Sequence, residues 1–125
     1  MFNFTGTRPS NLGVKDGKLA ACPGTPNCVS SQSDDPQSKI DALPGVAIAE
    51  IKKVVNAMAG TTIVEEKDNY LYAEFKSKLM GYVDDVEFYL DSSTNAVQVR
   101  SASRLGKSDL GVNRKRVEEI RSKLA

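Results

Sequence analysis

Residues 61–77, TTIVEEKDNYLYAEFKS, decide the fold. Thr61 to Lys67 is rich in β-formers, and Asp68-Asn69 is a pair suited to a tight turn. Beyond it, Leu71, Ala73 and Phe75 alternate with Tyr70, Tyr72, Glu74 and Lys76, the period of a strand with one buried face. The two runs make a hairpin. Toward the C-terminus, 81–90 (GYVDDVEFYL) and 96–104 (AVQVRSASR) flank the linker DSSTN and extend the hairpin into a three- to four-stranded antiparallel meander. Toward the N-terminus, Ile48, Ile51, Val55 and Met58 recur at helical spacing between Glu50, Lys52, Lys53 and Asn56. That spacing predicts an amphipathic helix over 45–59, with Pro44 at its first turn and Gly60 at its stop. A last helix is predicted over 113–124, burying Val117, Ile120 and Leu124. The order helix, meander, helix is an α+β two-layer sandwich with both helices on one sheet face, within a single domain of residues 1–125.

If the turn is 92–95, Asp91 faces Ala96, Phe88 faces Val99, Glu87 faces Arg100 and Asp84 faces Ser103. One face then carries Val86, Phe88, Leu90, Val97 and Val99 as core, with Asp84, Ser101 and Ser103 as its polar end. Buried polar groups of that kind need partners, at a cost of about 1–3 kcal/mol each when they lack them. The opposite face carries Asp85, Glu87, Arg100 and Arg104, a cross-strand ladder of opposite charges worth roughly 0.2–1 kcal/mol per pair.

The segment after the last strand concentrates cations. Asn113 is the expected N-cap, so the first helical turn is Arg114-Lys115-Arg116, the wrong sign for the positive end of a helix dipole. An anion should compensate. Either Asp84, Asp85 or Asp109 pairs with Arg104, Arg114 or Arg116, or an external anion binds the free N–H groups and the basic cluster. A nucleic-acid binder would show a broader basic stripe with stacking aromatics.

Residues 1–44 show no sustained periodicity and read as an irregular arm packed on the core, with 30–38 (SSQSDDPQS) its most mobile part. Leu19-Ala20-Ala21-Cys22 imitates a lipoprotein cleavage site, yet residues 1–18 contain no apolar h-region. The expectation is therefore a cytoplasmic chain without a leader, or a periplasmic or lumenal one if a leader has been removed. Cys22 and Cys28 are either bonded or a reduced packing pair, depending on compartment, and Pro23 and Pro26 stiffen the loop between them. The chain has no histidine, which excludes Ser-His-Asp and Cys-His catalysis and an ordinary structural zinc site. No metal and no cofactor is expected.

CPGTPNCVSS, GYVDDVEF and VRSASRLGKSDLGVNRKRVEEIR together resemble the bacterial and plastid family catalogued as domain of unknown function 1499, over about residues 8–124. The start FNFTGTRPSNLG looks like the short, leaderless type found in cyanobacteria. The resemblance implies no activity. It places the family's motif on Asp84, Asp85, Arg100, Ser101, Ser103, Arg104, Ser108, Asp109, Asn113 and Arg116.

The functional expectation is a non-enzymatic binding or accessory domain with an anion-accepting site where strands three and four meet the last helix. Arg104, Arg114 and Arg116 would meet a small anionic ligand or a protein partner, oriented by Asp84 and Asp109. The alternatives are an enzyme using Asp84 or Asp85 as general base with thiol assistance, and a purely structural polar network.

Overall fold

The computed structural model describes residues 4–78, 80–106 and 109–124. In chain order it contains β1 (Cys28–Ser30), β2 (Leu43–Pro44), α1 (Ile48–Asn56), β3 (Thr61–Lys67), β4 (Tyr70–Lys76), β5 (Val83–Asp91), β6 (Ala96–Ser103) and α2 (Val112–Leu124). The meander runs β3-β4-β5-β6, every neighbouring pair antiparallel, in the register that alternation implies: Asp91 opposite Ala96, Glu87 opposite Arg100, Asp84 opposite Ser103. A bulge between Ile63 and Glu65 interrupts β3 alone.

The outer edge of β6 is not left open. β1 pairs with it through Cys28–Ala102, Val29–Ser101 and Ser30–Arg100, and β2 through Leu43–Val97 and Pro44–Ala96. The expectation of a wholly irregular arm is corrected here: two short strands of it complete the sheet and satisfy an edge that would otherwise invite association. The start of the stretch 30–38 is tied to the sheet. Ser31 is buried, donates its N–H to the Val99 carbonyl at 2.9 Å, and accepts the Val99 N–H on its Oγ at 2.8 Å.

Both helices lie on one face. Ile48, Ile51 and Val55 of α1 and Val117 and Ile120 of α2 join Leu71, Val86, Phe88, Val97 and Val99 in one buried cluster. The first helix is shorter than its apolar spacing predicts. Pro44 ends a strand instead of opening the helix, because Gly45 packs directly on the β5–β6 turn. A Cβ there would meet the Asn95 carbonyl oxygen at 2.3 Å. At the other end Gly60 (φ +79°) turns the chain into β3. The far face of the sheet is covered by the arm, whose Leu12, Val14 and Leu19 pack on Tyr70, Tyr72 and Tyr89. Among the described residues no helix is long and apolar enough to cross a membrane.

Candidate functional site

Strand alternation sends Asp84 and Asp85 to opposite faces of β5, and each seeds a separate polar network. On the helical face, Asp84 Oδ2 accepts Nη2 of Arg116 at 2.8 Å, and the guanidinium lies 4.7 Å over the Phe75 ring. Arg116 Nη1 donates to Asn113 Oδ1 at 2.9 Å and to Ser101 Oγ at 3.3 Å. Asn113, fully buried, is the hub. Its Oδ1 also accepts Ser101 Oγ at 2.6 Å. Its Nδ2 donates to the Asn27 carbonyl at 3.2 Å, Ser103 Oγ at 2.9 Å and Asp109 Oδ2 at 2.7 Å.

Asp109 supplies the negative charge that the start of α2 lacks. Its carboxylate accepts the backbone N–H of Gly111 at 2.8 Å and of Asn113 at 3.0 Å. Partial burial pushes this carboxyl up, but those N–H donors and the Asn113 amide outweigh it and hold it below its ordinary value. The capping role expected of Asn113 therefore belongs to Asp109, and the Asn113 side chain faces inward.

Above this floor opens a cleft of about 1090 Å³. Its floor includes Asp84, Ser103, Asp109 and Arg116; Tyr82, Leu105, Leu110 and Val112 form apolar walls, and Lys76 and Lys78 stand at one side. Those four wall residues are all exposed, Leu110 by 88%. Leu110 also has φ +55°, a left-handed conformation that a bulky side chain adopts only against steric cost. Asp84–Arg116 is an internal pair, and Asp109 is matched by helical N–H groups. Lys76 and Lys78 form no ion pair among the described residues.

The opposite face carries the second network. Arg104 grips Asp85 in two parallel bonds, Nε to Oδ2 and Nη2 to Oδ1, both 2.8 Å, and reaches Glu74 Oε2 at 2.6 Å. The Tyr72 hydroxyl donates to Asp85 Oδ1, and Arg8 from the arm pairs with Glu74 at 2.6 Å. Further along, Tyr70 donates to Glu87 Oε2 at 2.5 Å and the Gly13 N–H donates to the same oxygen at 2.7 Å. Of the cross-strand ladder expected from the sequence, Asp85 pairs with Arg104, but the other rung is corrected: Glu87 and Arg100, buried with Asp85 under the arm, form no direct ion pair among the described residues. Arg100 instead donates to the Ala21 carbonyl at 3.4 Å, and Arg100 Nε and Glu87 Oε1 have no partner among the described residues.

Burial pushes the Glu87 carboxyl above its ordinary value of 4.5, aided by Asp85 and opposed by Tyr70, Gly13 and Arg100. The folded state therefore holds this proton more tightly than the unfolded chain. Stability contributed by the neutral carboxyl is present below the unfolded value and is lost as pH rises through the higher folded one. Glu87→Gln keeps an acceptor for Tyr70 and Gly13 and cannot titrate. We expect urea midpoints of the variant to gain on the wild type between mildly acidic and mildly alkaline pH. A difference that does not change with pH would show that Glu87 stays ionised.

A family profile described as Protein of unknown function (DUF1499) matches residues 18–124. The chain belongs to this family. No curated protein and no solved structure matches it. The DUF1499 span takes in both cysteines, every strand and helix, and the whole helical-face network; Arg8 and Gly13 lie before it.

Of the site residues expected from the DUF1499 motif, Asp84, Ser101, Ser103, Asp109, Asn113 and Arg116 come together, while Asp85, Arg100 and Arg104 lie across the sheet. Arg114 leaves both networks and donates to the Lys39 and Gln37 carbonyls at 2.9 and 3.0 Å. The three arginines expected to share an anion thus point three ways. Ser108 lies outside the described residues. Cys22 and Cys28 are bonded, so neither serves as a thiol nucleophile in this state. Sequence reasoning missed Asn27 and the cleft walls. The signal was there in Leu105 and Leu110, apolar residues between a strand and a helix that fit the period of neither, and in Val112 at the helix start.

Proposed function

We propose that this domain is a non-enzymatic binding module, that its site is the cleft above the Asp84–Arg116 pair, and that its ligand is a small amphipathic anion. The apolar body lies on Tyr82, Leu105, Leu110 and Val112, and the negative head meets Lys76, Lys78 and the exposed edge of Arg116. Leu110 carries the reading. It exposes a large apolar side chain and strains its backbone to do so, two costs that asparagine or glycine would avoid. Four exposed apolar side chains around one concavity of ligand size form the kind of patch that marks a binding site. Lys76 and Lys78, which form no ion pair among the described residues, set the sign of the head group, so the anion contact passes mainly from the arginines to them.

The test is a fluorescence titration with anilinonaphthalene sulfonate, displaced in turn by decanoate and decyltrimethylammonium. We expect saturable one-to-one binding, with decanoate about tenfold the better competitor, a difference of ~1.4 kcal/mol. Leu110→Asn should weaken the probe about tenfold or more, the ~1.5–3 kcal/mol of one buried leucine. Its melting temperature should hold or rise, because asparagine tolerates a positive φ. Equal competition by both head groups, or a Leu110→Asn variant that binds unchanged, would overturn the reading.

A further inference from the structure

We infer that the Cys22–Cys28 bond is a thiol-exchange site, open to a small or protein dithiol, whose redox state sets the affinity of the cleft; this rests on the binding reading above. The two cysteines are unequal in exposure. Cys22 is partly exposed on the arm, whereas Cys28 is 1% exposed at the start of β1. An incoming thiolate therefore reaches Cys22 Sγ. It forms a mixed disulfide there and expels Cys28 as a thiolate, which takes up a proton. The second thiol of the same dithiol then displaces Cys22. Two electrons pass to the pair, leaving two cysteine thiols here and a disulfide in the reductant.

The link to the cleft is Asn27, the residue beside Cys28. It is 4% exposed, and every one of its contacts on the cleft side goes to a part of the site. Its carbonyl accepts the Ser103 N–H at 3.0 Å and Asn113 Nδ2 at 3.2 Å. Its own Nδ2 donates to the Gly106 carbonyl at 2.7 Å, beside the Leu105 wall. Within the same ring Thr25 Oγ1 donates to Asn27 Oδ1 at 2.6 Å, which fixes the amide's direction. Asn113 in turn holds Arg116 at 2.9 Å, and Arg116 holds Asp84 at 2.8 Å. The closed ring of residues 22–28 is thus one end of a continuous chain of contacts to the wall and floor of the cleft.

Reduction removes the constraint on the ring and leaves β1, only 3 residues long, and the hydrogen bonds of Asn27 itself to hold that residue in place. The prolines at 23 and 26 limit how far the opened loop can wander, so the change is local. The meander β3–β6 and both helices pack through a cluster that contains neither cysteine. Opening the bond therefore loosens Ser103, Gly106 and Asn113, the residues that Asn27 holds, while the core persists, a local transition of the kind amide exchange resolves.

The experiment uses the full chain, oxidised and then treated with excess dithiothreitol, and reads amide exchange by NMR beside the anilinonaphthalene sulfonate titration. On reduction we expect exchange at Ser103 and Asn113 to quicken about tenfold, and probe affinity to fall about tenfold, within the range typical of coupled sites. Amides of Tyr72 and Val86 should be unchanged. Asn27→Ala in the oxidised protein removes the amide's hold on the Gly106 carbonyl and should lower probe affinity, while Ser103, which donates to the backbone carbonyl of residue 27, should keep its slow exchange. Cys22→Ser/Cys28→Ser should show both effects with or without dithiothreitol. Unchanged exchange at Ser103 and Asn113 overturns the inference, as does unfolding of the whole chain on reduction, which would make the bond a staple. Faster exchange with undiminished affinity also overturns it. If the oxidised protein binds no probe, the binding reading falls, and the exchange data judge the coupling on their own.

Discussion

Arg104→Leu is expected to lower unfolding free energy by about 3–5 kcal/mol, the usual consequence of removing one partner of a buried ion pair. The reason lies in what stays behind. The Arg104 side chain is 5% exposed and the Asp85 side chain 1%, so the substitution strands a carboxylate that water cannot reach. Tyr72 still donates to Asp85, but one neutral hydroxyl replaces a bidentate guanidinium. Glu74 suffers less, because Arg8 remains on it at 2.6 Å. The matching test is the double variant Arg104→Leu/Asp85→Asn, in which the stranded charge is gone. It should recover at least half of the loss in urea unfolding at constant m-value. A single-variant loss below about 1 kcal/mol would place this pair with surface ion pairs rather than buried ones.

That buried pair also shows where the sequence was legible and where it was not. Alternation paired β5 with β6 correctly at all eight positions, because a one-residue slip would have turned Phe88 and Val99 to the wrong face. Both helices were legible in kind from their apolar spacing. Alternation also grouped Asp85, Glu87, Arg100 and Arg104 on one face, but a period of 2 cannot say whether that face is wet. The answer lay in a segment with no period at all, the arm, whose Leu12, Val14 and Leu19 are scattered among turn residues. The convergence of the three arginines was a readable error. Residues two apart on an α-helix point about 200° apart, so Arg114 and Arg116 never shared a side. Arg104 comes directly after Ser103, the last residue of β6, and carries on its alternation, so it faces away from it. The disulfide was left open because spacing alone does not decide a bond. The bond would contribute roughly 2 kcal/mol by the chain-entropy account of a loop this short.

Asn113→Ala is the second large effect, a loss of about 3 kcal/mol and about 10 °C in melting temperature. The side chain is 0% exposed and meets five partners, two on Oδ1 and three on Nδ2. Alanine leaves the fully buried Ser101 hydroxyl with Arg116 donating to its oxygen but no acceptor for its proton, and removes half of the contacts that hold the Asn27 carbonyl. Asp109 keeps its backbone donors, so the helix cap survives and the damage comes from the interior. The isosteric Asn113→Asp separates polarity from packing. It retains the acceptor for Ser101 and Arg116 but turns a carboxylate oxygen toward the Asn27 carbonyl and the Asp109 carboxylate, where only a donor is tolerated. Below neutral pH that oxygen can take a proton and donate again. Asn113→Asp should therefore be less stable than Asn113→Ala at pH 7 and regain ground as pH falls, whereas alanine should show no such recovery. If aspartate matches asparagine at pH 7, the amide is not donating to Asn27 and Asp109, and the contact chain from the disulfide loop to Arg116 is broken at its centre.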